Sequence, residues 1–361
     1  QARCPVLLAP PIQTSDHCGG LASYEFDQLK FTKILEREDK RSWKRFKEAA
    51  ASCFTFVETM GLTYAFKMVC DAFGYHPSLQ SGSSGHPDFM EAYSIEARTE
   101  MAAGILNGLG LRSNFAPVVL FCGHGSATEN NPYASGLDCG ACGGHAGDAN
   151  ARIAAGLLNQ PDVRSALRTR GIDIPDDTRF IAGLHNTTTD EVVLYDSETA
   201  DSEIVAALEV ALNSAGKLCA TERAALLGTA ATQGDVVRAV RARSRDWSQV
   251  RPEWGLAGNA GFIVAPRPWT EASNLESRAF LHEYDAATDP EGAVLESIVG
   301  GPLVVGSWIN LQYYGSATDN ARFGSGHKSI HNVVGGVGVA LGNENDLRPG
   351  LPFQSVHDGE K

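Results

Sequence analysis

The sequence is poor in positive charge. Its 30 Lys and Arg stand against 43 Asp and Glu, a formal net charge of −13 at pH 7. A general nucleic-acid binder clusters basic side chains along phosphate, so that class is excluded. Cysteine is sparse, at eight in 361 residues, far below the density of a secreted disulfide scaffold. No unbroken apolar run reaches the ~18–20 residues of a membrane span. The most apolar helical stretch, Cys53 to Cys70, is interrupted by Glu58 and Lys67. An initiator methionine is lacking, as is the basic start and apolar run of a signal peptide. The chain opens Gln1-Ala2-Arg3-Cys4-Pro5 and closes on a polar stretch from Gln354 to Lys361. The expectation is a soluble, acidic chain from a reducing compartment, either processed or a piece of something longer.

What the chain has in excess is glycine, 38 residues or about a tenth, against a usual ~7%. Three segments are expected. In 1–114, a short strand at Val6-Leu7-Leu8 precedes a helical region from about Ser23 to Tyr75, then a Ser/Gly loop and a helix from Asp88 to Leu109. In 115–200, the apolar run Val118-Val119-Leu120-Phe121 leads into a glycine-rich stretch from Gly123 to Gly147. Helices follow from Ala149 to Asn159 and from Pro161 to Arg170, with strands at Phe180–Leu184 and Val192–Tyr195. In 201–361, helix covers 201–246, strands lie at Phe262–Ala265 and Leu303–Val305, and ordered loops run from Gly315 to Gly350. Strand, glycine-rich loop, helix, strand is the order of a parallel α/β sheet.

The chemistry concentrates between Phe121 and His145. His124, Cys139, Cys142 and His145 are all good ligands for zinc, and glycines around them let the backbone turn so that side chains converge. The segment follows a strand and precedes a helix, and ligands bind at the carboxyl ends of strands in open α/β sheets. Spacing alone does not choose between the two thiols, and Cys122 reads as a small buried apolar residue. A zinc nucleobase deaminase needs His-x-Glu and Pro-Cys-x-x-Cys, whereas Gly125-Ser126 follow His124 and Asp138 precedes Cys139. A thioredoxin-like pair would open a helix, but Gly143-Gly144 come directly after Cys142. The helix near Ala149, with Asp148 or Asn150 as cap, offers free amides to a small anion such as bicarbonate.

Several long motifs then point one way. Cys4-Pro5-Val6-Leu7-Leu8, His124-Gly125-Ser126 with Asn130-Asn131-Pro132, and Asp138-Cys139-Gly140-Ala141-Cys142-Gly143-Gly144 resemble the DabA family. So do Arg251-Pro252-Glu253-Trp254-Gly255-Leu256-Ala257, Trp308-Ile309-Asn310-Leu311-Gln312-Tyr313-Tyr314 and His331-Asn332-Val333-Val334-Gly335. The resemblance implies an α/β fold with a Rossmann-like, mostly parallel sheet like that of β-carbonic anhydrase, with large helical additions. It implies the zinc-bearing cytoplasmic subunit of an energy-coupled inorganic-carbon pump, peripheral on the cytoplasmic face of the cell membrane. Its partner would be a DabB-like proton-conducting membrane subunit. CO2 would be hydrated to bicarbonate by a zinc-bound hydroxide.

The family's zinc site has two Cys, one His and one Asp. His124 and Cys139 match its His and second Cys, so the resemblance selects Cys139 over Cys142. The remaining Cys and Asp belong to a Cys-x-Asp motif upstream of the Cys-Pro-Val-Leu-Leu segment, and Cys70-Asp71 does not reproduce it. The chain alone is therefore expected to be inactive. The alternatives are a non-catalytic scaffold subunit with structural His and Cys, and a Cys-x-x-Cys redox protein. Lys30 to Lys47 holds eight basic residues in 18 positions, read as a solvated helix face or a docking surface. His185 either lines the crevice beside His124 or serves a structural loop, and His327 and His331 have no assigned role.

Overall fold

In the computed structural model the residues described are 93–127, 146–195, 200–227, 235–245 and 259–323 apart from 277. To these are added scattered positions between 35 and 70, Ser197, short backbone stretches between 331 and 347, and Leu351. The chain divides into two compact units, one comprising mainly Met90–Lys361 and the other mainly Ile12–Gln80. In the second unit the described positions, among them Leu35, Met60–Leu62 and Met68–Cys70, are helical, in keeping with the periodicity read there.

The larger unit is a mixed α/β structure built from small sheets. Helix α1 (Ile95–Gly108) is capped by Ser94, whose Oγ accepts from the Ala97 amide at 3.3 Å. Strand β1 (Val118–Gly125) then runs parallel to β2 (Arg179–Asn186). Helices α2 (Asp148–Leu158) and α3 (Pro161–Arg168) lie between them in the chain. Pro161 stands at the first turn of α3, where its missing N–H would have had no partner. Leu106, Leu157, Leu158, Val163, Leu167, Phe180 and Leu184 form the core between these helices and the strands, and Ile181 is buried on the opposite face of β2. Phe121 stacks on Phe180 at 5.5 Å. Buried Arg164 bridges the end of α2 to the start of β2, donating to the Leu158 carbonyl at 2.7 Å and the Thr178 carbonyl at 2.8 Å.

The sheet is not mostly parallel. β3 (Glu191–Tyr195) pairs antiparallel with β2, because only Thr187–Asp190 separate the strands and a parallel crossover needs a dozen residues or more. The order is β1-β2-β3. Helix α4 (Ser202–Leu226), capped by Asp201, and α5 (Val236–Arg243), capped by Asp235, follow. β4 (Gly261–Val264) and β5 (Ala279–His282) form a separate parallel pair. Leu303–Val305, read as a strand, lies inside a helix: α6 (Ala293–Gly300) and α7 (Pro302–Thr318) are consecutive, and Pro302 opens the second. The stretch read as loops from Gly315 begins with the end of α7. It then forms antiparallel strands β6 (His331–Val334), β7 (Gly338–Leu341) and β8 (Asp346–Leu347).

Two stretches, Ser202–Ala225 and Ala293–Thr318, are long and apolar enough to cross a membrane by length and composition, and little of either is fully buried. A count of unbroken apolar runs passes over them, because Glu209, Asn213 and Lys217 break the first and Glu296, Asn310 and Gln312 the second. On α4, Val210 and Leu218 stand open to solvent.

Candidate functional site

Pro117 opens β1, and the β-branched and aromatic residues that follow it carry the strand to its end at Gly125. Register pairs Cys122 with Gly183 and His124 with His185. Paired positions in a ladder share a face, so Cys122, His124 and His185 stand on one side of the sheet at its carboxyl end. A Cβ on Gly183 would meet Leu120 Cδ1 at 3.1 Å, which puts Leu120 on that side as well. His124 is half-buried. The structure thus brings His185 beside His124 as neighbours across adjacent strands.

The opposite side is closed by the entry to α2. The Gly147 amide donates to the His124 carbonyl at 2.8 Å, and a Cβ on Gly123 would lie 2.4 Å from the Gly147 carbonyl oxygen. Glycine is therefore required at 123 for the loop to seat against the strand. The cap of α2 is Gly147 rather than Asp148 or Asn150, and it makes no side-chain cap bond. Asp148 lies within the first turn and is buried. The chain's own carboxylate therefore already complements the helix dipole there, leaving those amides poorly suited to bicarbonate. Arg152 lies 5.0 Å over the Tyr195 ring. Burial and the charge of Asp148 push the Tyr195 hydroxyl up, against the pull of Arg152.

The turn after β2 carries residues that the sequence alone left in a loop. His185 Nε2 is 3.1 Å from Asp190 Oδ1. Asp190, at 4% exposure, forms an ion pair with Arg223 of α4 at 2.7 Å. Arg223 also donates to the Thr187 carbonyl at 3.2 Å. Asp190 takes a positive φ of 57°, a conformation Asp tolerates better than most residues. Helix α4 comes close enough that a Cβ on Gly216 would lie 2.5 Å from the Asp190 carbonyl oxygen. The turn is fastened to β1 as well, the Thr187 amide donating to the Gly125 carbonyl at 2.8 Å and the Ala127 amide to Thr188 Oγ1 at 3.0 Å. Asp190 is visible in the sequence only as part of a polar run, and nothing there marks Arg223.

Cys122 is partly exposed, contrary to the small buried residue expected. Burial of its sulfur pushes the thiol up, with the His185 backbone amide pulling the other way. Cys139, Cys142 and His145, like His327, lie outside the described residues, as does most of Lys30 to Lys47. His331 is in β6, its backbone paired with Leu341. Among the described residues no three His, Cys, Asp or Glu side chains converge as a metal site. His124 fits a zinc ligand in type and in its half-buried place at a strand end, but the described donors do not complete a set.

The family model described as "Probable inorganic carbon transporter subunit DabA" matches residues 1–361. A relative of that name from Roseiflexus castenholzii is 48% identical over 383 residues, covering 100% of this chain and 45% of the relative. One from Chloroflexus aurantiacus is 47% identical, with 99% and 45% covered. "Probable inorganic carbon transporter subunit DabA 2" from Bradyrhizobium sp. is 46% identical, with 100% and 45% covered. The chain thus spans about half the length of the curated relatives it matches. No solved structure matches it. On a family match over its whole length and relatives near half identity, the chain belongs to the DabA family.

Proposed function

We propose that this chain supplies the His124 and Cys139 half of a zinc site in an inorganic-carbon transporter subunit that hydrates CO2 to bicarbonate. The observation that carries the reading is His124, a half-buried imidazole on the ligand-binding end of a parallel β1–α2–α3–β2 unit, in a chain of this family. That unit also supports kinship with the β-carbonic anhydrase sheet, although β3 runs antiparallel. Zinc, when bound, lowers the pKa of a coordinated water to about 7 and so supplies a nucleophile at neutral pH. His124 would hold the metal through one ring nitrogen, and the Gly147 loop behind its strand would fix where the imidazole stands. CO2 is neutral and reaches a half-buried site at little desolvation cost, whereas bicarbonate leaves as an anion and prefers water. The other Cys and the Asp would come from the longer chain, upstream of this one, and the subunit works at the cytoplasmic face of the membrane with a DabB-like proton-conducting partner.

Metal analysis of the full-length protein tests this reading. Wild type is expected to hold zinc and His124→Ala to lose it. Unchanged zinc in the variant would sink the ligand assignment.

A further inference from the structure

His185 is the group beside His124 whose hydrogen-bonding capacity is half used. Its Nε2 faces Asp190 Oδ1 at 3.1 Å, and Asp190 is in turn held by Arg223 at 2.7 Å. A carboxylate in an ion pair only accepts hydrogen bonds, so Nε2 carries the ring's hydrogen, and in the neutral ring Nδ1 presents a lone pair. Among the described residues nothing hydrogen-bonds Nδ1. The side chain is 39% exposed, so a solute can reach it. Its register partner across the ladder is His124.

We propose that His185 is a ligand-orienting residue of this site, whose Nδ1 accepts a hydrogen bond from the hydroxyl group of bicarbonate. Asp190 and Arg223 are its positioning residues, because they hold the ring in the tautomer that leaves Nδ1 an acceptor. The inference rests on reading the site as the one that handles bicarbonate. It makes a chemical distinction that charge alone does not. Bicarbonate has one O–H to donate, whereas nitrate, a planar anion of the same charge, has none. An acceptor placed at the site favours the first and is indifferent to the second.

The test uses the full-length protein at pH 8. Bicarbonate and nitrate binding are measured by titration calorimetry in wild type, His185→Ala and Asp190→Asn, with zinc content determined on the same samples. His185→Ala is expected to weaken bicarbonate by about 2–12-fold, the worth of one neutral hydrogen bond. Nitrate is expected to stay within about twofold, within the error of such a comparison. Asp190→Asn frees the tautomer and should give the same selective loss, smaller in size. Nitrogen-15 spectra of the wild type read the tautomer directly, whether or not the variants fold. A protonated Nε2 and bare Nδ1 are expected. The opposite tautomer, equal loss of both anions, or wild-type binding of bicarbonate no tighter than nitrate would each overturn the assignment. Zinc that survives His124→Ala speaks against the metal reading instead, and the comparison of the two anions still decides the role of His185.

Discussion

Asp190 and Arg223 meet across 33 residues of sequence, the carboxylate almost fully buried and the guanidinium 2.7 Å away. The pair joins the turn after β2 to helix α4, and His185 Nε2 faces the same Oδ1 that Arg223 reaches at 2.9 Å. Removing one partner leaves a buried charge without compensation, which typically costs about 3–5 kcal/mol. Arg223→Ala is therefore expected to lower the melting temperature of the full-length protein by several degrees. Combining it with Asp190→Asn, which removes the stranded charge, should recover part of the loss. Thermal unfolding of the single and double variants measures both, and additive losses would mean that the pair carries no coupling.

Cys122 gives a reactivity prediction. Burial raises its thiol above the ordinary value of 9.0 despite the opposing His185 amide, so less thiolate is present at neutral pH than on a free cysteine. Alkylation of Cys122 by iodoacetamide, followed by mass spectrometry, should be slow at pH 7. It should be still rising at about pH 10, where a free thiol approaches its plateau. Cys219, also raised chiefly by burial and then by the charge of Asp190, should behave the same way. Rapid labelling of Cys122 at pH 7 would contradict the burial argument.

Asp289 gives a pH prediction of the opposite sign. Burial works to raise its carboxyl, but the Leu295 and Val294 amides and the Tyr284 hydroxyl outweigh it, and the group sits below the usual carboxylate value of 3.8. The Leu295 amide donates at 3.0 Å and the Tyr284 hydroxyl at 3.2 Å, so the carboxylate fastens the start of α6. A depressed folded pKa contributes stability above the unfolded pKa, and that stability is lost as pH falls through the folded value. Asp289→Asn should melt earlier than wild type at pH 6, with the difference closing as the pH drops below about 4. A constant difference across that range would show that ionisation of Asp289 does not contribute.

Four of the strands are legible in the sequence, and the reason is local: Val118–Phe121, Phe180–Leu184, Val192–Tyr195 and Phe262–Ala265 are short β-branched and aromatic runs bounded by turn residues, whereas β5 to β8 are not legible. Their direction is less legible. The four residues from Thr187 to Asp190 could only return the chain antiparallel, a constraint present in the spacing but overridden by the expectation of a parallel sheet. Leu303–Val305 looks like a strand by composition, yet Pro302 before it is a helix-opening signal. At the site, His124 and His185 can be found because both end strands. Asp190 and Arg223 cannot, since their pairing depends on how α4 lies against the turn. That is a tertiary relation, and no periodicity in the Ala-rich helix singles out Arg223.

Two glycines in one βα unit separate close approach from mere tolerance. Gly123 faces backbone: a Cβ there would sit 2.4 Å from the Gly147 carbonyl oxygen and 3.0 Å from its Cα. A backbone atom cannot swing aside as a flexible side chain can, so Gly123→Ala must push the entry of α2 off β1. Overpacking of this kind costs roughly 1–3 kcal/mol, and it also strains the hydrogen bond from the Gly147 amide to the His124 carbonyl. The variant should therefore lose stability and, if His124 holds zinc, lose zinc affinity too. Gly156, within α2, is exposed, and a Cβ added there would meet nothing within 4 Å. At that position Gly156→Ala removes only the entropy penalty of glycine in a helix and should stabilise by about 0.5–1 kcal/mol. Parallel melts of the two variants, with zinc analysis on each, distinguish the roles. Equal effects of the same sign would mean that the contact between Gly123 and Gly147 does not set the site.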